Sequence, residues 1–226
     1  MIFMITGTGT DVGKTVATAA LACRLPGTVH VAKPAQTGEP DGLGDLHTLQ
    51  QLTGISSLHE FARFPDPLAP LTAAQYSGMG PLVFEDVVDR IRDLDSPSAT
   101  VLVEGAGGAL VELGLTRAGT PWTILDAAAR LNTPLIIVTT TGLGSLNHAA
   151  LTLEALQHRG LRCGGVIGGD IPTEPDLATR LNLEHFQRGL LPGYPAPWLG
   201  AIPHGAGQLS PEQFCAGATK WITVPN

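Results

Sequence analysis

Residues 7–15 read Gly-Thr-Gly-Thr-Asp-Val-Gly-Lys-Thr, directly after the apolar run Ile2 to Thr6. The tail Gly13-Lys14-Thr15 is that of a phosphate-binding loop. In such a loop, amides at a helix start cradle phosphates, a lysine reaches the β- and γ-phosphates, and a hydroxyl meets Mg²⁺. The usual GxxxxGK[ST] spacing puts the first glycine at position 8. Here position 8 is threonine and the glycine stands one residue earlier, at Gly7. A glycine-rich turn needs no ligand, but a strand before it and a helix after it are the context the motif requires. Asp11, Val12, Gly13, Lys14, Thr15 and Val16 are therefore candidate nucleotide contacts.

Outward from this loop, apolar runs alternate with helical segments. Strands are expected at Ile2 to Thr6, Val29 to Ala32, Thr100 to Val103, Leu135 to Thr139, Cys163 to Ile167 and Trp198 to Ala201. Helices are expected at Lys14 to Arg24, Asp45 to Leu52, Phe84 to Leu94, Thr123 to Leu131, Leu146 to Gln157 and Pro175 to Arg188, with a helical turn at Pro211 to Ala216. Residues 54 to 82, rich in proline and glycine, read as irregular with short helical turns. Continuous apolar strands between helices predict a single α/β domain over residues 1–226, P-loop-like, with a mostly parallel sheet covered on both faces. Ligands of such sheets bind beyond the carboxyl ends of the strands. The polar and glycine-rich stretches here follow strands, so they converge on that edge.

Composition narrows the function. A net charge of −7 gives no basic footprint for nucleic acid or an anionic membrane. No stretch approaches the ~20 apolar residues of a membrane helix, and the N-terminal run reads as a strand rather than a signal peptide. Cys23, Cys163 and Cys215 form no CxxC pair, and reduced thiols in a cytoplasmic protein are expected. The histidines form no zinc-binding pattern.

There are ten arginines but only three lysines, and two of these, Lys14 and Lys33, stand beside strand ends. A compact ammonium fits among phosphate oxygens where the wider guanidinium fork does not. In VAKPAQTG (31–38), Lys33 is expected to end its strand, with Pro34 stopping further pairing and Thr37 offering a hydroxyl. A lone lysine at a strand end is often only a solvated charge. Mg²⁺ favours oxygen ligands, commonly one or two carboxylates with phosphate oxygens. Asp45 can serve as a ligand or merely start its helix. Glu104, at the end of VLVEGAGG (101–108), stands where a second magnesium ligand belongs, and Gly105, Ala106 and Gly107 let backbone approach a ligand closely.

GTGTDVGKT, VAKPAQTG, VLVEGAGG and GLGSLNHAALT (142–152), in this order, resemble dethiobiotin synthetases, ATP-dependent enzymes of biotin synthesis. The resemblance runs from residue 2 to about residue 205, and the displaced glycine belongs to that family's own pattern. It implies that 7,8-diaminononanoate and CO₂ form a carbamate, that the carbamate attacks the γ-phosphate of ATP, and that the second amine closes the ureido ring. It implies Lys33 and Lys14 as catalytic residues, Thr37 as a substrate contact, and Thr15, Asp45 and Glu104 as Mg²⁺ ligands. It implies a homodimer in which Gly144, Ser145, Leu146 and Asn147 bind the substrate's distal carboxylate from the neighbouring subunit. Without the resemblance, that stretch is an ordinary helix start.

One departure stands out. Where the family often has an asparagine that reads adenine, followed by aspartate, this chain has Gly169 and Asp170. The base is then expected against backbone near Gly169 and the Pro203-His204-Gly205 segment, with weak preference among nucleoside triphosphates. Two rival readings are a partitioning-type P-loop ATPase switch and a corrin-type amidating synthetase. The first commonly carries an extra lysine early in the loop, absent from positions 7 to 12, and the second a glutamine-hydrolysing domain for which no room is expected after residue 205.

Overall fold

Strand β1 (Ile2–Gly7) explains the architecture on its own scale. Its side chains alternate, Met4 joining one apolar cluster while Phe3 and Ile5 join another. Both faces of the strand are therefore covered, as its unbroken apolar sequence requires. The computed structural model describes residues 1–38, 43–190 and 193–225. Around β1, seven strands form one sheet in the order β10-β9-β8-β1-β5-β2-β3, and each neighbouring pair is parallel. The others are β2 (Thr28–Thr37), β3 (Leu58–Phe64), β5 (Ala99–Gly108), β8 (Leu135–Thr139), β9 (Cys163–Ile171) and β10 (Trp198–Pro203).

One face carries α1 (Lys14–Arg24), α2 (Asp45–Thr53) and α8 (Pro211–Trp221), whose Ala20, Leu49 and Phe214 pack with Phe3, Leu102 and Val138. The opposite face carries α3 (Pro70–Ser77), α4 (Phe84–Leu94), α5 (Ile124–Leu131), α6 (Ser145–His158) and α7 (Leu177–Arg188). Ala73, Ile91, Leu125, Leu153 and Phe186 from these helices meet Met4, Val101 and Ile137. Beside them, β4 (Leu82–Val83), β6 (Glu112–Leu115) and β7 (Pro121–Thr123) make a small second sheet closed by the buried Trp122. Among the described residues no helix is long and apolar enough to cross a membrane.

Four expectations are corrected. Residues 54 to 82 are not mainly irregular: they hold the edge strand β3 and the helix α3. β3 is the edge strand, paired with β2 alone and only partly buried along most of its length, so its sequence Leu-His-Glu-Phe-Ala-Arg-Phe is half polar and lacks the apolar run of an inner strand. Pro34 does not end β2. It ends pairing on one side only: the ladder to β5 stops at Ala32↔Val103, while the ladder to β3 continues to Thr37↔Phe64. The C-terminal turn is a full helix, α8, opened by Pro211 and by a capping box between Ser210 and Gln213.

The fourth correction concerns the thiols. Cys23, near the end of α1, and Cys215, in α8, form a disulfide with an S–S distance of 2.03 Å. The two helices pack side by side, an adjacency that a sequence separation of 192 conceals. Cys163 alone is free, and burial pushes its thiol up to about 12. Of the loop between β2 and α2, residues 39–42 lie outside the described residues.

Candidate active site

The turn from β1 into α1 puts Asp11 (φ 55°) and Gly13 (φ 89°) in the left-handed region, on either side of Val12. This alternation curls successive amides into a concave nest at the N-terminus of α1, where the helix dipole also favours an anion. Gly13 is the residue before the first turn of α1, and no side chain caps the helix. Its amides are left for a ligand.

The displaced glycine has a steric cause. A Cβ on Gly7 would lie 2.7 Å from the Gly9 carbonyl oxygen, 2.8 Å from a Val12 methyl and 3.1 Å from Lys14 Nζ. Position 7 therefore faces the inside of the loop. Position 8 does not: the Thr8 amide donates to the Val138 carbonyl at 2.9 Å, and its hydroxyl meets that of Thr139 at 3.3 Å. Lys14 folds back so that its ammonium donates to the Gly9 carbonyl at 2.9 Å, over the nest. Burial and then Lys33 lower the Lys14 pKa, with Glu104, Asp45 and Asp11 opposing them.

Beside the nest, β5 and the start of α2 converge on Lys33 of β2. Its ammonium, on a residue only 3% exposed, lies 2.9 Å from Glu104 Oε1 and 2.5 Å from Asp45 Oδ2, and donates to the Gly105 carbonyl at 3.1 Å. Burial opposes its charge, but Glu104 and Asp45 outweigh burial and hold its pKa above the ordinary lysine value. Burial likewise opposes the Asp45 carboxylate, yet Lys33 leads the groups that bring its pKa below the usual range. The Thr15 hydroxyl donates to Glu104 Oε1 at 3.0 Å.

A cleft of about 520 Å³ opens above these groups. Its lining includes Asp11, Gly13, Lys14, Thr15, Val16, Lys33, Thr37, Asp45, Ala106 and Gly107, so these ten expected residues are brought together. Thr15, Asp45 and Glu104 present a hydroxyl and two carboxylates within one small space. That all-oxygen set is of the kind that would hold Mg²⁺ together with phosphate oxygens. Among the described residues no cluster of three histidine, cysteine or acidic side chains forms a self-sufficient metal cage.

Gly169 lies directly against the nest. A Cβ there would sit 1.7 Å from the Val12 carbonyl oxygen, and a Cβ on Gly13 would sit 2.6 Å from the Gly169 carbonyl oxygen. The end of β9 is thus pressed backbone to backbone against the nest, and an asparagine does not fit at 169 without moving the loop. Asp170 and His204 pair at 3.2 Å on the exposed edge beyond, and the His204 amide donates to the Ile171 carbonyl at 2.8 Å. Pro203 ends β10 and Gly205 follows it in a left-handed turn. These residues stand outside the cleft.

Gly144, Ser145, Leu146 and Asn147 also stand outside the cleft. Gly144 (φ 91°) precedes α6 without a side-chain cap. One contributor here escaped sequence reasoning. Asn182 of α7 donates to the carbonyls of Thr141 and Gly142 at 3.0 and 2.8 Å and to the Ser145 hydroxyl at 3.2 Å, fixing the turn into α6. Its only sequence signal is a polar residue on the inner face of an amphipathic helix.

A parallel sheet, a phosphate nest at the end of its central strand and a buried lysine–carboxylate cluster beside it define a P-loop nucleoside-triphosphate-dependent protein. Solved structures agree on the fold: a ParA family ATPase from Chlorobium tepidum (17% identity, TM-score 0.54, covering 97% of this chain and 91% of that one). The MinC:MinD cell division complex from Aquifex aeolicus gives 15% identity and a TM-score of 0.52, covering 96% and 85%. A family profile described as an AAA domain matches residues 2–212. The ATP-dependent dethiobiotin synthetase BioD of Corynebacterium diphtheriae is 52% identical over 217 residues, 95% of this chain and 93% of the relative. That of Rhodococcus erythropolis is 48% identical over 225 residues, 97% and 95%. The chain belongs to the dethiobiotin synthetase family.

Proposed function

We propose that this ATP-dependent ligase of biotin synthesis closes the ureido ring of dethiobiotin from 7,8-diaminononanoate and CO₂. The observation that carries the reading is the Lys33 ammonium, buried against Glu104 and Asp45 and lying beside the Lys14 nest. The chemistry needs no protein nucleophile, because the substrate carbamate supplies the attacking oxygen. Catalysis then rests on positioning and on charge stabilisation.

Lys14 and the nest amides hold the triphosphate, with Asp11, Val12, Gly13, Thr15 and Val16 around it. Lys33 faces the same space from β2, binds the carbamate anion and neutralises charge that builds on the transferred phosphoryl group. Thr37 holds the reacting end of the substrate. Thr15, Asp45 and Glu104 hold Mg²⁺, which when bound draws charge from the phosphate oxygens. Once the carbamic–phosphoric anhydride has formed, attack by the second amine on its carbonyl carbon closes the ring and releases phosphate. Gly105, Ala106 and Gly107 let β5 run close beneath the nucleotide. The base lies toward Gly169, Asp170, Pro203, His204 and Gly205, where backbone rather than a reading side chain meets it.

We further propose that the active unit is a homodimer. Leu143 is 91% exposed, Leu110 57% and Leu151 56%, and the last two line a shallow groove beside α6 with Thr8 and Val111. Exposed leucines and an apolar groove of this kind suit a second copy of the chain. Such a copy places the start of α6, residues 144–147, against the neighbour's cleft, which that stretch does not reach within its own subunit. The test of the reaction is product formation from ATP with and without the diamine and bicarbonate. Phosphate release that ignores both would instead fit a P-loop switch.

A further inference from the structure

Helix α2 starts without a cap of its own. The residue before its first turn is Gly44, which has no side chain, and the amides of a first helical turn need acceptors from elsewhere. Gln36, near the end of β2, reaches across. Its Oε1 accepts the Asp45 amide at 2.9 Å, and its Nε2 donates to the Thr37 carbonyl at 3.2 Å. Gln36 is 5% exposed, so these bonds replace water that it cannot reach.

The fit is mutual. A Cβ on Gly44 would lie 2.6 Å from Gln36 Oε1 and 2.7 Å from its Cδ. The Gly44 backbone (φ −120°, ψ −167°) is extended and open to any residue. A side chain at 44 would therefore have to displace the Gln36 amide, although the backbone itself would accept one. The residue held by this contact is Asp45, whose carboxylate meets Lys33.

We propose that Gln36 is a positioning residue for the reaction: by capping α2 from β2 it fixes the Asp45 carboxylate, and through it the metal site and the Lys33 ammonium. The same amide ties the Thr37 carbonyl into the arrangement, so one side chain sets the spacing between the substrate side and the metal side of the cleft. This proposal rests on the role of Asp45 given above.

The test compares Q36A, G44S and the double variant Q36A/G44S in the full chain. Two quantities are read: amide hydrogen exchange in the first turn of α2, and the Mg²⁺ concentration giving half-maximal turnover. Q36A is expected to speed exchange there and to raise the half-maximal Mg²⁺ concentration about tenfold. G44S alone does the same, because its side chain displaces the Gln36 amide. The double variant returns both readouts to within about twofold of the parent, since a serine before α2 is an ordinary cap once position 36 is shortened. Losses that simply add in the double variant overturn the proposal. So does faster exchange with an unchanged Mg²⁺ requirement, which would leave Gln36 a cap and nothing more. Should Q36A fold poorly, Q36M keeps the volume without the amide and gives the same two readouts. If the parent chain makes no dethiobiotin, the reading of the reaction fails, while the exchange measurement still decides whether Gln36 caps α2.

Discussion

Replacing Lys33 by methionine keeps the chain's volume and removes its charge. The ammonium that is lost lies 2.9 Å from Glu104 and 2.5 Å from Asp45. The Glu104 side chain is 2% exposed and that of Asp45 35%, so the two carboxylates do not count equally. Stranding a buried charge costs about 3–5 kcal/mol, and the share from the more exposed partner is screened by solvent. The K33M variant should therefore be less stable by roughly 3–5 kcal/mol at neutral pH, a drop in Tm of about 10 °C for a chain of this size. In the parent, Lys33 is raised and Asp45 is lowered. The Lys33 contribution is thus fully present below the ordinary lysine pKa and is lost only as pH rises through its folded value. The Asp45 contribution is present above the ordinary aspartate pKa and is lost as pH falls through its depressed value. Neutral pH lies inside that window. In K33M, burial is left to act on the Asp45 carboxylate without its main opponent, so acid should narrow the gap between variant and parent. Mg²⁺ should narrow it too, by taking up the same charges. Turnover should fall at least 10²–10³-fold, the cost of losing one preorganised charge stabiliser. Nucleotide affinity, carried by Lys14 and the nest, should stay near the parent's. Thermal unfolding across pH with and without Mg²⁺, nucleotide titration and single-turnover assays test this together. A variant with turnover within tenfold of the parent, or with unchanged stability at neutral pH, would refute the reasoning.

Other expectations follow from single contacts. Gly169→Ala should cost about 3 kcal/mol and weaken nucleotide binding, because its Cβ meets the Val12 carbonyl at 1.7 Å. Gly54→Ala, in a left-handed turn (φ 72°) with open space around it, should cost only about 1–2 kcal/mol and leave nucleotide binding unchanged, so chemical denaturation and titration of both variants separate clash from backbone conformation. Cys215→Ser should lower stability by roughly 3–5 kcal/mol through loss of a long-range cross-link, and reductant should lower the parent to match while leaving the variant unmoved. A parent whose unfolding ignores reductant would contradict the Cys23–Cys215 bond. With no side chain at 169 to read the base, kcat/KM for ATP, CTP and GTP should agree within about tenfold, and a preference for ATP by orders of magnitude would count against backbone-only recognition.

What the sequence made legible was whatever repeats at short range. Lys14 and Thr15 stand beside their glycine, and the apolar runs of β1, β5 and β8 announce strands buried on both faces. The convergence of Lys33, Glu104 and Asp45 was legible in outline, from polar residues in and after parallel strands, although β2 and β5 both run on past the two residues. Contacts that run across the sheet were not legible. Nothing local marks Cys23 and Cys215 as neighbours, since helix packing alone joins them. β3 hid because an edge strand need not be apolar, and its His59, Glu60 and Arg63 read as loop. Gly7 and Gly169 announced themselves as departures, but their cause is tertiary: one points into the nest and the other is pressed against it. Asn182 lies in no motif, and Gln36 lies within VAKPAQTG without a role that the motif announces; the work of both shows only in the hydrogen bonds that they make.

The most direct test of the central claim supplies the purified chain with ATP, Mg²⁺, 7,8-diaminononanoate and bicarbonate, and follows dethiobiotin and phosphate together. One phosphate should be released per dethiobiotin formed, with little of either when the diamine or bicarbonate is withheld. ATP hydrolysis that proceeds at the same rate without them, and no dethiobiotin, would contradict that claim.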